Sequence, residues 1–239
     1  PMLDMDKSLE AIIQLKSAFG KSHHIHLYTS IPFDPSNCAK FANAGLDEIR
    51  FHLLDSKLSR YVEVINECSR LGIDVGVELP CEPDKSDDLF ALLDEMDGSK
   101  VQFLNLNELE ITVGNQENMD VRGFNLSGGM TAAAEGSFEL ATKLKEHAKG
   151  MSFHVKFCTA SFKDAGQLRA RFRRRAEVTL RPYEIISSDD TILFGAIPTE
   201  ENDARDDMID LSNHLDLSEG WIRYDPIARR IELPLSAAE

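Results

Sequence analysis

Residues 103–112 read FLNLNELEIT and put two amides and two acids where a sheet core is expected. Asn105 and Asn107 alternate with Leu104 and Leu106, so strand geometry sends both amides to one side. An amide offers a donor and an acceptor on one short side chain, which suits a ribose or a base. Glu108 is grouped with these amides as a residue expected to face a polar ligand. Glu108 and Glu110, two positions apart, also have the types of a general acid and base or of metal ligands. A strand end running into water is the plain alternative for the acid pair.

The same kind of reading picks out residues on four other segments. Tyr28 belongs to the alternating polar run His24, His26, Tyr28 and Ser30, and Arg50 and His52 oppose Phe51 and Leu53. Glu78 lies in GIDVGVELP, where Gly76 would let a ligand come close to the backbone, and Pro80 and Pro83 would stiffen the loop beyond it. His154, Lys156 and Cys158 oppose Phe153, Val155 and Phe157. Lys156 is a candidate amine nucleophile, and Cys158 a candidate thiol, although a buried structural cysteine explains it more simply. His24 and His26 would share a face as a metal-binding pair does. No acidic or thiol partner follows them at a recognised ligand spacing, so no metal is assigned.

Five segments must carry these groups: 22–30, 46–54, 73–80, 100–110 and 151–160. Each alternates between an apolar and a polar face, as strands do, and each follows a stretch with helical spacing. Several of those stretches stop at Gly. Ser36 and Ser86 are candidate N-caps. The first four strands begin about 24 to 27 residues apart and the fifth after nearly twice that interval, and helix alternating with strand at this pitch implies a parallel sheet of right-handed units. Doubly wound sheets read as nearly continuous apolar runs, whereas here every strand keeps a polar face. The expectation is therefore an α/β fold, a partial (β/α) barrel of parallel strands over residues 1–180, with the polar face lining its interior. A one-sided sheet with that face in water is the alternative. TVGNQENMDVRGFNLSGG, 112–129, reads as an ordered loop or lid rather than an element. Residues 181–239 read as a small α+β appendage: a hairpin around Ser188-Asp189-Asp190, a helix, and a second hairpin near Asp225-Pro226.

Bulk properties narrow the class. The net charge of −15 opposes non-specific binding to nucleic acid or to an anionic membrane. No apolar run approaches the roughly 18 to 20 residues of a membrane span. Four scattered cysteines without a C-x-x-C pair suggest a reducing setting, and a cytoplasmic location is expected. QLRARFRRRAE carries Arg169, Arg171, Arg173, Arg174 and Arg175 on one expected helix. Pairing with the chain's own carboxylates is favoured over phosphate or RNA contact. Lys163 just before it is expected to reach the cavity.

The order LYTS, AGLDEIRFHL, GIDVGVELP, FLNLNELE and FHVKFCTASFKDAGQLRARFRRRAE resembles archaeal radical S-adenosylmethionine (SAM) proteins related to pyruvate formate-lyase activating enzyme. The resemblance covers about residues 20 to 180, and FLNLNELE and the FC-x-x-x-FKD-x-x-QLR-x-R run are its specific parts. It implies a partial (β/α)6 barrel, SAM as cofactor and a [4Fe–4S] cluster held by a C-x-x-x-C-x-x-C loop. That loop does not occur in the sequence, so the resemblance implies the later part of such an enzyme, with its cluster half upstream of Pro1. Such a part would shape the SAM and substrate pockets for 5′-deoxyadenosyl-radical chemistry without being active alone.

By the same resemblance Arg50, His52, Gly76, Glu78, Asn105 and Asn107 would meet SAM. Tyr28, Glu108, His154, Lys156 and Lys163 are set down for an unknown substrate. Two other readings stand beside this one. A cluster-free aldolase- or hydrolase-like barrel would use Lys156 with Glu78 and Glu108, and a non-catalytic module would hold RNA or a partner through Arg169–Arg175.

Overall fold

The computed structural model describes residues 4–238. The chain divides into two compact units, with the break between Ala160 and Ser161. This lies upstream of the boundary expected at residue 181, and the arginine-rich helix counts with the second unit.

In the first unit, five strands lie side by side in chain order: β1 (His26–Thr29), β2 (Glu48–Phe51), β3 (Asp74–Cys81), β4 (Phe103–Glu108) and β5 (His154–Cys158). All four pairings are parallel. The helices of this unit are α1 (Met5–Phe19), α2 (Cys38–Ala44), α3 (Val62–Arg70), α4 (Ser86–Met96), α5 (Gln116–Val121) and α6 (Ser137–His147). A doubly wound sheet reverses its strand order so that helices reach both faces. This sheet never reverses, so right-handed connections gather its helices on one side, as in the wall of an unclosed barrel.

Alternation along each strand decides which face meets the helices. Ile49, Phe51, Val75, Val77, Leu104 and Leu106 are fully buried and join Phe41, Leu92, Leu93 and Leu144 in one core. Burying each such side chain contributes about 1.5–3 kcal/mol, which fixes the register, because a one-residue slip would turn the whole set outward. The same core holds Cys38 of α2 and Cys68 of α3 as free thiols with sulfurs 3.1 Å apart.

The helix boundaries depart from two expectations. Ser36 does not cap α2; its N–H donates to Asp34 Oδ1 at 2.8 Å inside a short turn that Pro35 starts. Ser86 is the first residue of α4, following another turn, Pro83–Lys85. In both places a proline sets the entry geometry and displaces the expected cap.

The long β4–β5 connection is more built than a lid. It contains α5 and closes over its own small core of Leu109, Met119 and Ala134, flanked by Ile111 and Phe124. Arg122 ties it to the turn after β3, reaching Asp84 at 2.6 and 2.9 Å and Glu82 at 2.8 Å.

The second unit has the expected α+β elements. Ile185–Ile186 pairs antiparallel with Ile192–Leu193, and Arg230–Leu233 pairs with both Arg223–Asp225 and Gly195–Pro198, with the helix Ala204–His214 between them in sequence. Among the described residues no helix is long and apolar enough to cross a membrane.

Candidate functional site

The parallel register sorts the polar face of the sheet into rows. His26, Glu48 and Asp74 form the first row, nearest the amino ends of the strands. Tyr28, Arg50, Gly76, Phe103 and His154 form the second, and Glu78, Asn105 and Lys156 the third. Asn107 stands one row further, between Pro80 and Cys158.

Glu78 is the centre of this face. Its Oε2 accepts from Asn105 Nδ2 at 3.1 Å, from Arg50 Nη1 at 3.1 Å and from the Tyr28 hydroxyl at 3.2 Å. Its Oε1 accepts from Asn107 Nδ2 at 3.1 Å. Arg50 Nη1 also donates to the Tyr28 oxygen at 2.6 Å, and Arg50 Nε donates to Glu48 Oε1. The guanidinium lies 5.2 Å from the Tyr28 ring centre and 5.6 Å from that of Phe103, within cation–π range. His52 Nδ1 sits 3.0 Å from the Glu78 backbone oxygen, and since a carbonyl only accepts, the proton must be on Nδ1. Side chains from three strands, β1, β2 and β4, thus converge on one carboxylate of β3.

The electrostatics follow from that geometry. Burial pushes the Glu78 carboxyl up, but the amides of Asn105 and Asn107 and the Arg50 guanidinium outweigh it and hold its pKa below the ordinary value. Burial and the Glu78 charge raise the Tyr28 phenol, so it stays protonated as a donor. Burial lowers Arg50, yet its bond to Glu48 and the charges of Glu48, Tyr28 and Glu78 together carry it above the usual guanidinium value. Glu78 is consequently a fixed anion with its oxygens occupied, which suits positioning and not proton transfer. The amides have donated toward it, and their carbonyl oxygens have no partner among the described residues. They are acceptors left over for something else.

Three expected residues lie outside the hydrogen-bond network of Glu78. The space that a side chain at Gly76 would fill is occupied by the Phe103 ring, 2.1 Å from an ideal Cβ, so packing accounts for this glycine and no ligand approach is needed. Glu108 does not join the amides. Strand alternation puts it on the side of Leu104 and Leu106, where it is buried and its Oε2 accepts from the Ala160 N–H at 2.6 Å. His154 opens β5 and lines a cleft with Ser69, Ser99, Gln102 and Ser152 at the amino ends of the strands, away from Asn107. Lys156 lies beside Asn105 in the register and is exposed. Lys163 begins a π-helical turn, Lys163–Leu168, in the second unit.

The arginine helix, Arg169–Thr179, is also in that unit. Arg173 pairs with Asp190 at 2.5 Å and Glu177 at 3.4 Å, while Arg169, Arg171, Arg174 and Arg175 are exposed. A recess of about 720 Å³ in the second unit, lined by Ile197, Asp207, Leu211 and His214, contains none of the expected residues.

Sequence reasoning missed Glu48. It holds Arg50 from below and stands opposite His26, a relation visible only once β1 and β2 are paired.

A protein of Methanocaldococcus jannaschii, provisionally named a glycyl-radical enzyme activating enzyme, is 30% identical to this chain over 240 residues. The match covers 97% of the chain. The chain spans 62% of that relative's length. This likeness supports a radical SAM relation, in keeping with the FLNLNELE and FC-x-x-x-FKD stretches. No family model matches the chain.

Proposed function

We propose that this chain forms the later strands of a radical SAM enzyme and that the polar face around Glu78 borders the SAM site. The observation that carries this reading is the convergence of Tyr28, Arg50, Asn105 and Asn107 on Glu78, with two amide oxygens left over. These residues fit the group. Asn105 and Asn107 can accept from ribose hydroxyls or an ammonium, and a carboxylate held ionised nearby favours a cationic ligand.

The chain's thiols do not fit an iron–sulfur cluster. All four are buried; Cys38 and Cys68 touch each other between helices, and Cys81 and Cys158 stand on strands. Burial and the Glu108 charge push the Cys81 thiol up to about 12, the opposite of what a thiolate ligand needs. No step through a cluster is assigned to this chain, and the reading takes cluster chemistry to be supplied from outside it.

When bound and reduced, SAM supplies a carbon-centred radical for hydrogen abstraction. The work of this chain is to bind and orient. Glu78 fixes the amides, the amides hold the ligand's hydroxyl or amino groups, and the Phe103 ring and Arg50 wall one side. A reactive radical demands such fixed positioning, since a small misplacement costs rate and selectivity. The relative's name points to a glycyl residue of a protein partner as the substrate class.

The placement of Glu108 weighs against the aldolase-like reading, because that acid and Lys156 lie on opposite faces of the sheet. Calorimetric titration of the chain with SAM tests the proposal. Binding that weakens about tenfold in Asn105→Ala and in Asn107→Ala, the worth of one well-made hydrogen bond, is the expected result. No binding, or equal affinity in all three proteins, contradicts it.

A further inference from the structure

We infer that His24, His26 and Glu48 form a binding site for one divalent transition ion of the zinc type. One ligand atom from each lies within 4.8 Å of the other two. His24 Nε2 and Glu48 Oε2 are 3.4 Å apart. Bonds of about 2.0–2.1 Å in a tetrahedral zinc site place ligand atoms roughly 3.3 Å from one another, so these two already stand at a coordination edge. His26 completes the triangle by a modest ring rotation.

The backbone holds the three residues in place. His26 and Glu48 are register partners of β1 and β2. The Ile25 N–H donates to Asp47 Oδ2 at 2.7 Å, and the Ile25 oxygen accepts from the Asp47 and Glu48 N–H groups at 3.2 Å each. Lys16 of α1 bonds Asp47 Oδ2 at 2.7 Å and the His23 oxygen at 2.6 Å. The segment carrying the histidines is thus pinned at both ends before any ion arrives.

The carboxylate is oriented as well. Arg50 Nε takes Glu48 Oε1, which leaves Oε2 turned to His24. Partners of this kind behind a ligand raise its affinity by fixing its direction. The Glu48 side chain is 12% exposed and that of His24 52%, so the carboxylate is sheltered while the ion has an open approach.

Two imidazoles and one carboxylate select a borderline ion such as zinc, nickel or copper over calcium or magnesium, which prefer oxygen ligands. Three protein ligands leave the fourth position to water. A bound ion would staple β1 to β2 and stiffen the acid that holds Arg50, and through Arg50 the Tyr28 and Glu78 contacts. The site stands apart from the SAM reading and does not need it.

The plain competitor is a His24–Glu48 ion pair. That pair uses no His26, whose ring instead packs edge-on against Tyr28 at 5.3 Å between ring centres. Removal of His26 therefore separates the two accounts. The test titrates the metal-stripped chain with zinc chloride by calorimetry, with cobalt absorption as a second readout of tetrahedral ligation. The expected result is one ion per chain, with affinity lowered roughly tenfold or more in His24→Ala, His26→Ala and Glu48→Gln. His23→Ala should bind as the native chain does. Because Glu48→Gln also releases Arg50, circular dichroism checks its fold, and the decision rests on the two exposed histidines. No zinc binding by the native chain, unchanged affinity in the His24→Ala/His26→Ala double variant, or an equal loss in His23→Ala overturns the inference.

Discussion

Two carboxylates, one in each unit, are wrapped by donors in ways that look alike and differ where it matters. Glu232 in the second unit accepts from Arg181 at 2.8 Å, Arg230 at 2.9 Å and the Tyr183 hydroxyl at 2.9 Å, and its side chain is 3% exposed. Glu78 accepts from one arginine, one tyrosine and two amides, and is 21% exposed. Arginines and phenols spend donors on Glu232 and leave no acceptor behind. The amides around Glu78 keep a free carbonyl each. A satisfied buried carboxylate is by itself a structural knot, and what marks a site is spare hydrogen-bonding capacity on groups that the knot holds still.

The contrast can be broken by substitution. Glu232→Ala should cost the most, about 3 kcal/mol in denaturant unfolding, because it empties a site that is 3% exposed and takes from the buried Tyr183 hydroxyl the oxygen it donates to. Loss of less than a third of that would show that the knot is not structural. Gly76→Ala should cost about 2 kcal/mol by forcing the Phe103 ring aside, and Phe103→Leu in the same chain should recover part of it. No cost, or no recovery, would undo the packing account of this glycine.

Glu78→Gln should lower stability at neutral pH by about 1 kcal/mol, since Arg50 keeps its bond to Glu48 and the new amide oxygen still accepts. Its folded pKa lies below the ordinary 4.5, so the carboxylate stabilises above that pH, and its contribution disappears as the pH falls through the folded value. The native and Glu78→Gln unfolding curves should converge in acid; a gap that persists there would contradict the assignment. Asn107→Ala should change stability least, by under about 1 kcal/mol, while still weakening SAM binding. A larger effect on folding than on binding would place Asn107 with Glu232 as structure.

The contrast also explains what the sequence could reveal. Strict alternation of apolar and polar residues marks all five strands of the first unit, because one face meets helices and the other does not. Asn105, Asn107 and Glu78 were legible from that alternation, since amides and acids on strands have few bland explanations. Glu108 misled because its residue type outweighed the alternation, which already set it with Leu104 and Leu106 and apart from the amides. Gly76 misled because its reason is a ring on the next strand. Glu48 was invisible as a partner of His24 and His26, being far off in sequence and joined to them only by register. The Ser36 and Ser86 caps failed locally, where prolines set the turn.

The most direct measurement is an NMR titration of the labelled chain with SAM, following the Asn105 and Asn107 side-chain amide signals and the Arg181 and Arg230 Nε signals together. The account predicts that both amide pairs shift with ligand while both arginine signals stay fixed. Amide signals that do not move, or arginine signals that move as far as the amides, would contradict it.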